Sequence, residues 1–265
     1  MELENYFEKM WKSYIELIPQ ASKIKNLLEA EGESITNDHI ALRTFNLDET
    51  SIDVISQPFL DLGYIEKGEY HFKEKKLYAK HYEYPGNTRP KIFISELLVK
   101  EFSLDFQNTI RKIVKSKPAE FYRDKELMLV GRPWELSHKE YLALQAESDY
   151  GAWLAALGFR PNHFTISVNH LKKYTELTDL NNFLKLKGFE LNSSGGEIKG
   201  SQAVCLEQSS TLADSVKVKF SDISVTIPSC YFEFAKRYVQ SSGELYTGFV
   251  AQSADKIFES TDKGQ

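Results

Sequence analysis

The sequence predicts an α+β fold built from a duplicated βαβββ module, and three observations carry that prediction. Two distant segments open alike: "NDHIALRTF" from Asn37 and "PNHFTISVN" from Pro161 each read as a strand with a histidine near its start, His39 and His163. Each is followed by a helical stretch ending in Phe-Leu-x-Leu and a glycine, Gly63 or Gly188, 24 and 25 residues beyond its histidine. Each then reaches an apolar strand with one glutamate, Glu96 in "KIFISEL" and Glu233 in "YFEFAKRY", at spacings of 57 and 70. A period above 100 residues is too long for a solenoid, so the pattern is two paired modules rather than an array.

The elements follow in order. Residues 1–33 place Tyr6, Met10, Trp11, Tyr14, Ile15 and Ile18 at helical spacing, which predicts one or two helices. Ser34, Asn37 and Asp38 break that pattern before the first module, residues 34–99. The glycines after each module helix suit a helix end that turns left-handed. Residues 100–158 are helical in pattern, and Ser137 with Glu140 forms a capping-box signature there. The second module spans 159–238. The segment 239–265, "GELYTGFVAQSADKIFESTD" within it, predicts an extra strand and a short closing element. The 265 residues are read as a single domain with ample core.

Composition narrows the function classes. A hydrophobic share of 42% and a charged share of 27% are ordinary for a globular protein. A net charge of −5 without a long basic block points away from nucleic acid and from anionic membranes. No run of about 18 apolar residues predicts a membrane span, and the acidic amphipathic start does not read as a secretory signal. Cys205 and Cys230 make neither a disulfide framework nor a zinc motif, so the expected compartment is the cytoplasm. Nothing in the sequence requires an oligomer. Neither a Gly-rich phosphate loop nor a G-x-S-x-G elbow is present.

What remains is a constellation of imidazoles and carboxylates. Alternate residues of a strand share a face, so His39 lies with Ala41 and Arg43, and His163 with Thr165 and Ser167. Glu233 stands between Phe232 and Phe234 and points away from the face they bury. Paired modules bring the strands of His39, His163 and Glu233 around one cavity. Two histidines and a carboxylate suit Fe(II), Mn(II) or Zn(II), and with open positions they are the usual setting of non-haem Fe(II) oxygenases. Arg43 lies about 13 Å along the strand from His39 and can reach back to grip a carboxylate. The plainer alternatives stay beside this one: structural histidines, a surface Glu233, and Arg43 paired with Asp38 or Glu96. Glu96, matched to Glu233 by the repeat, is either a fourth ligand or a residue that holds Arg43 or a histidine in place. His71 and His81 lie in a charge-rich stretch read as a solvated hairpin, and His170 has the parity to face away.

The motifs "NDHIALRTF", "KIFISEL", "PNHFTISVN", "YFEFAKRY" and "ADKIFESTD", in this order, resemble the 2-oxoadipate dioxygenase/decarboxylase family, over nearly the whole chain from about residue 30. The family is related to the vicinal oxygen chelate superfamily, which implies two βαβββ modules forming a curved mixed sheet around a metal. The resemblance implies Fe(II) held by His39, His163 and Glu233, with Arg43 gripping the substrate. It implies that 2-oxoadipate and O₂ become 2-hydroxyglutarate and CO₂, in lysine catabolism. It also implies that backbone near Val250 contributes to the substrate pocket. This chain is shorter than the better-known members, which bears on the substrate more than on the metal. Two other readings stand beside this one: a glyoxalase-like metal isomerase or lyase using Glu96 as ligand and base, and a metal-free module that binds a small molecule.

Overall fold

The computed structural model describes residues 3–250. Two amphipathic helices open the chain, α1 (Leu3–Ile15) and α2 (Pro19–Ala30), the second started by a proline whose missing N–H is no loss in a first turn. The first module follows as β1 (Asn37–Phe45), the short helices α3 (Ile52–Ile55) and α4 (Gln57–Asp61), β2 (Ile65–Phe72), β3 (Leu77–Glu83) and β4 (Lys91–Leu97). Between the modules lie α5 (Leu104–Val114), α6 (His138–Gln145) and α7 (Asp149–Leu157). Ser137 and Glu140 form the expected reciprocal capping box at the start of α6. The apolar run beyond it is interrupted where Ser148 caps a new helix by accepting from the Gly151 N–H.

The second module is β5 (Pro161–Ser167), α8 (Leu177–Leu186), β6 (Lys199–Ser201), β7 (Leu206–Ser210) and β10 (Glu233–Arg237). A separate hairpin, β8 (Ser215–Lys219) and β9 (Ser224–Pro228), is inserted before β10. Gly63 and Gly188 both have positive φ, 95° and 84°, where each module helix ends.

The strands form one mixed, curled sheet in the order β2-β3-β4-β1-β5-β10-β7-β6. The halves mirror each other: β1-β4-β3-β2 on one side of the β1–β5 seam and β5-β10-β7-β6 on the other. Within each half the first and last strands are parallel, and the seam is antiparallel. The duplicated βαβββ architecture and its curved mixed sheet are therefore as expected.

Strand parity divides the sheet into two faces. Phe164 and Phe232, with Trp11 and Tyr14 of α1 packed on them at ring-centroid distances of 5.0 to 6.4 Å, belong to the outer, helix-covered face. His39, Ala41 and Arg43 of β1, His163, Thr165 and Ser167 of β5, and Glu233, Ala235 and Arg237 of β10 share the inner face. The segment 239–250 differs from the expected extra strand. Its ladder among the described residues is one antiparallel bridge, Val239 to Leu245, and the chain then crosses the inner face. The motif "ADKIFESTD" lies outside the described residues.

Candidate metal centre

Two β-bulges aim the histidines. In the β1–β5 ladder, Asn37 faces Ile166 while His39 faces Thr165, so Asp38 is the extra residue. Further along, Ala41 faces His163 while Leu42 faces Pro161, so Asn162 is the extra residue. A bulge re-aims the side chains beside it. Here it lets each residue before a histidine turn back to that ring: His39 Nδ1 lies 2.7 Å from Asp38 Oδ1, and His163 Nδ1 lies 3.1 Å from Asn162 Oδ1. With a proton held on each Nδ1, the Nε2 lone pairs face the centre, where Thr165 Oγ1 lies 3.1 Å from His39 Nε2. The small Ala41 sits directly opposite His163 in the ladder and leaves room for both rings.

The three expected ligands converge. The two Nε2 atoms are 3.4 Å apart, His39 Nε2 is 3.3 Å from Glu233 Oε1, and His163 Nε2 is 3.4 Å from Glu233 Oε2. Donors about 2.1 Å from one metal ion stand about 3.0–3.4 Å apart at near-octahedral to tetrahedral angles. All three residues are buried, and their ligand atoms lie within 4.8 Å of one another. Gln208 donates to Glu233 Oε1 at 2.6 Å, whereas Oε2 is buried without a hydrogen-bond donor among the described residues. A buried carboxylate oxygen left in that condition is costly unless a cation meets it. The donor set therefore fits a divalent metal.

Charge is distributed unequally between the rings. Burial alone would discharge both. Glu233 and the Asp38 hydrogen bond overcome it at His39 and raise its pKa. At His163, burial prevails over Glu233, aided by the His39 and Arg43 charges, and the pKa falls to about 3. Burial would raise both carboxylates, yet Arg237 and His39 hold Asp38 well below the usual range, and the two histidines lower Glu233.

Arg43 is buried on the same face, its guanidinium between the rings of Tyr150 and Trp153 at 4.7 and 4.8 Å. Stacking of this kind suits the planar, delocalised cation. Tyr150 is fixed in turn, donating to the Ser95 carbonyl at 2.6 Å. Arg43 also lines a cavity of about 230 Å³ with Leu77, Phe102 and Ser148. Val250 is half-buried just past Phe249, whose ring meets His39 edge-on at 4.8 Å.

Glu96 is a correction. The ladder pairs it with Thr44, on the outer face with Ile92 and Ile94, so it neither joins the cluster nor holds Arg43. It accepts from Asn46 and from the Ile52 N–H at 2.8 Å, closing the start of α3. The residue opposite Ala41 is Phe93, just as Glu233 is opposite Thr165. Ala41 and Thr165 each stand two after a histidine, so the counterpart of Glu233 is Phe93. His81 is a second correction. It is buried rather than solvated, because pairing with Phe93 sets it on the inner face, between Tyr70 Oη at 2.9 Å and Glu83 at 3.2 Å. His170 is exposed, as expected, but not through strand parity: it lies in a 3-10 turn, Val168–His170, beyond the end of β5, with its Nδ1 2.8 Å from Ser167 Oγ.

Sequence reading missed Asp38, Asn162, Gln208, Arg237 and Phe249. A signal existed for three of them. Asp-His and Asn-His recur at the head of both modules, and an arginine follows both His39 and Glu233 by four residues. Gln208 and Phe249 had none, since only folding brings β7 and the 246–250 segment to the cluster.

A family model described as 2-oxoadipate dioxygenase/decarboxylase matches residues 6–132 and 128–244. The chain is 36% identical over 279 residues to the chloroplastic 2-oxoadipate dioxygenase/decarboxylase of Arabidopsis thaliana, covering 95% of this chain and 75% of that one. The structure of hydroxyglutarate synthase from Oryza sativa, in complex with 2-oxoadipate, superposes with a TM-score of 0.92 at 34% identity, over 97% of this chain and 91% of that one. A structure from Shewanella frigidimarina, described only as a candidate hydrolase, superposes with a TM-score of 0.90 at 49% identity, over 94% and 97%. No helix among the described residues is long and apolar enough to cross a membrane.

Proposed function

Since the chain belongs to the 2-oxoadipate dioxygenase/decarboxylase family, we propose that it is an Fe(II)-dependent enzyme that converts a 2-oxo dicarboxylic acid such as 2-oxoadipate, with O₂, into a 2-hydroxy acid and CO₂. The observation that carries this reading is the buried His39–His163–Glu233 group, with both Nε2 atoms and one carboxylate oxygen turned to a common point. The chemistry is self-contained: 2-oxoadipate plus O₂ equals 2-hydroxyglutarate plus CO₂. Of the four electrons that oxygen takes up, two come from the C1–C2 bond that breaks as CO₂ leaves and the keto carbon becomes the new carboxylate, and two from the C–H that becomes C–OH, so no external reductant is needed. When bound, the metal supplies a redox-active Lewis acid with positions left open for the 2-oxo acid and oxygen. Redox activity favours iron over zinc in this role.

The chain's own residues supply the rest. Asp38 and Asn162 keep the Nδ1 protons in place, so the imidazoles present lone pairs. Arg43, braced by Tyr150 and Trp153, neutralises a substrate carboxylate and sets its orientation. The Phe249 ring against His39 and the Tyr231 ring stacked on His163 at 4.7 Å keep water from the ligand atoms. The Phe249 N–H donates to Tyr70 Oη at 3.1 Å, fixing the backbone that leads to Val250, where a further N–H meets a substrate carboxylate.

The test is anaerobic loading with Fe(II), followed by O₂ uptake with 2-oxoadipate and its shorter and longer homologues. Substrate-dependent uptake matched by CO₂ release is the expected result, and the preferred chain length defines the pocket. Metal binding with no uptake for any homologue would overturn the substrate and oxygen assignment. Absence of metal binding would overturn the whole reading.

A further inference from the structure

The mechanism leaves Arg237, a buried cation on the inner face, without a task. Arg237 ends β10, four residues after Glu233 and on the same face. Its Nε and Nη2 donate to Asp38 Oδ2 and Oδ1 at 2.7 and 2.8 Å, a two-pronged pairing with the residue that holds His39 Nδ1. Its Nη1 donates to the carbonyls of Gly248 at 2.7 Å and Tyr246 at 3.3 Å. Its guanidinium carbon lies 5.1 Å from the centre of the Phe249 ring. The arginine's own backbone is pinned by Asn169, which accepts from its N–H and donates to its carbonyl, both at 2.8 Å.

Two features make this more than a buried ion pair. The link spans strands that are not neighbours, since β5 lies between β1 and β10. It therefore fixes the strand of one ligand, Glu233, against the partner of another, His39. The same guanidinium also holds the 246–249 backbone, which carries Phe249 onto His39 at 4.8 Å, His81 at 5.3 Å and Phe93 at 4.8 Å.

We propose that Arg237 is a positioning residue that joins the ligand pair His39–Glu233 to the 246–249 segment, so that metal binding and the seating of Phe249 over the site are one coupled event. The inference rests on the His39–His163–Glu233 metal site and not on the substrate or on oxygen chemistry. Coupling of two sites is reciprocal: if seating favours the metal, the metal favours seating by the same factor.

The experiment uses the full chain stripped of metal, titrated with Co(II), with hydrogen exchange of the peptide spanning 246–249 followed with and without Co(II). In the natural chain Co(II) slows exchange of that peptide. In Arg237→Gln the affinity for Co(II) falls about 10- to 100-fold, the range for residues that orient metal ligands, and the metal-dependent slowing is lost. Arg237→Lys, which keeps the charge but not the fork, falls between the two. Phe249→Ala leaves the Asp38–Arg237 pair intact and decides the matter if Arg237→Gln does not fold: its Co(II) affinity falls by about three- to tenfold. A folded Arg237→Gln with unchanged affinity, an exchange rate at 246–249 indifferent to Co(II), or unchanged affinity in Phe249→Ala overturns the coupling. A natural chain that binds no Co(II) removes the metal site itself, and the inference with it.

Discussion

The two modules share a strand order, a bulge before a histidine and a glycine after a helix, yet they supply different chemistry. The second offers His163 and Glu233, whereas the first offers His39 and, at the position matching Glu233, Phe93. The histidines themselves diverge. His39 is drawn toward the charged form by Glu233 and Asp38 against the effect of burial, while burial drives His163 toward the neutral form. Duplication thus provides a symmetric frame in which a single substitution per position makes the site lopsided. An aromatic where a fourth ligand would stand keeps the ligand count at three, which leaves room at a metal for other molecules.

The sharpest way to break this comparison is to exchange the glutamates. Glu233→Gln is expected to weaken Co(II) or Fe(II) binding by more than about 100-fold, because a ligand charge is lost where no donor compensates. Glu96→Gln, at the residue that the repeat in the sequence matches to it, is expected to leave metal affinity unchanged. Titration of both variants checks the assignment; equal losses would restore Glu96 to the site.

Next in size is the arginine of the first module. Arg43→Lys is expected to lower kcat/KM for the 2-oxo acid about 10- to 100-fold with metal affinity unchanged, since lysine loses both the fork and the stacking on Tyr150 and Trp153. A loss of metal affinity instead would assign Arg43 to the ligands rather than to the substrate.

The partners of the two Nδ1 atoms sharpen the contrast. Asp38→Asn, which leaves Arg237 without its counter-charge, is expected to cost about 10- to 100-fold in metal affinity, and Asn162→Ala less than about tenfold. Reversal of that order would mean that His163, not His39, is the ring whose orientation matters more.

Acidity distinguishes the histidines in the metal-free protein. His163 has a lowered folded pKa, about 3, so between an unfolded value near 6.5 and that value the unfolded chain binds the extra proton. Stability therefore falls as pH is lowered through that window, by about 1.4 kcal/mol per pH unit for one proton. His39 has a raised folded pKa, so its contribution is complete below its unfolded value and is lost as pH rises through the folded one. Denaturation across pH 4–8 is expected to show the acid slope in the natural chain and a shallower one in His163→Gln; parallel slopes would discard the assignment. The smallest effect is structural: Glu96→Gln is expected to cost about 1–2 kcal/mol by weakening the bond to the Ile52 N–H.

Much of this was legible before folding. Strand periodicity, the repeated Phe-Leu-x-Leu-Gly, the Ser137 capping box and the bracketing of Glu233 by Phe232 and Phe234 are local patterns, and local patterns report directly on helix ends and strand faces. The pairing of Glu96 with Glu233 failed because it rested on each closing strand holding a single glutamate, while the inserted β8–β9 hairpin leaves the two modules unequal in length. Spacing from the histidine then ceases to measure register. The matching residue is three positions earlier, and an odd shift moves a side chain to the other face of the sheet. His81 was misjudged for a related reason. Its neighbours in sequence are charged and exposed, but its neighbour across the ladder is Phe93.

By itself, then, the sequence determined which residue types alternate on which strand, where helices begin and end, and that His39, His163 and Glu233 each point away from the apolar face of their own strand. Those are properties of backbone periodicity, and they need no partner. Only the tertiary structure decided what those side chains meet. The β1–β5 and β5–β10 ladders set three ligands within hydrogen-bonding distance of one another, the bulges at Asp38 and Asn162 turned the rings, and Arg237 reached across β5 to Asp38. Such contacts depend on hydrogen-bond register between segments about 70 to 200 residues apart, and no local pattern in the chain encodes that register.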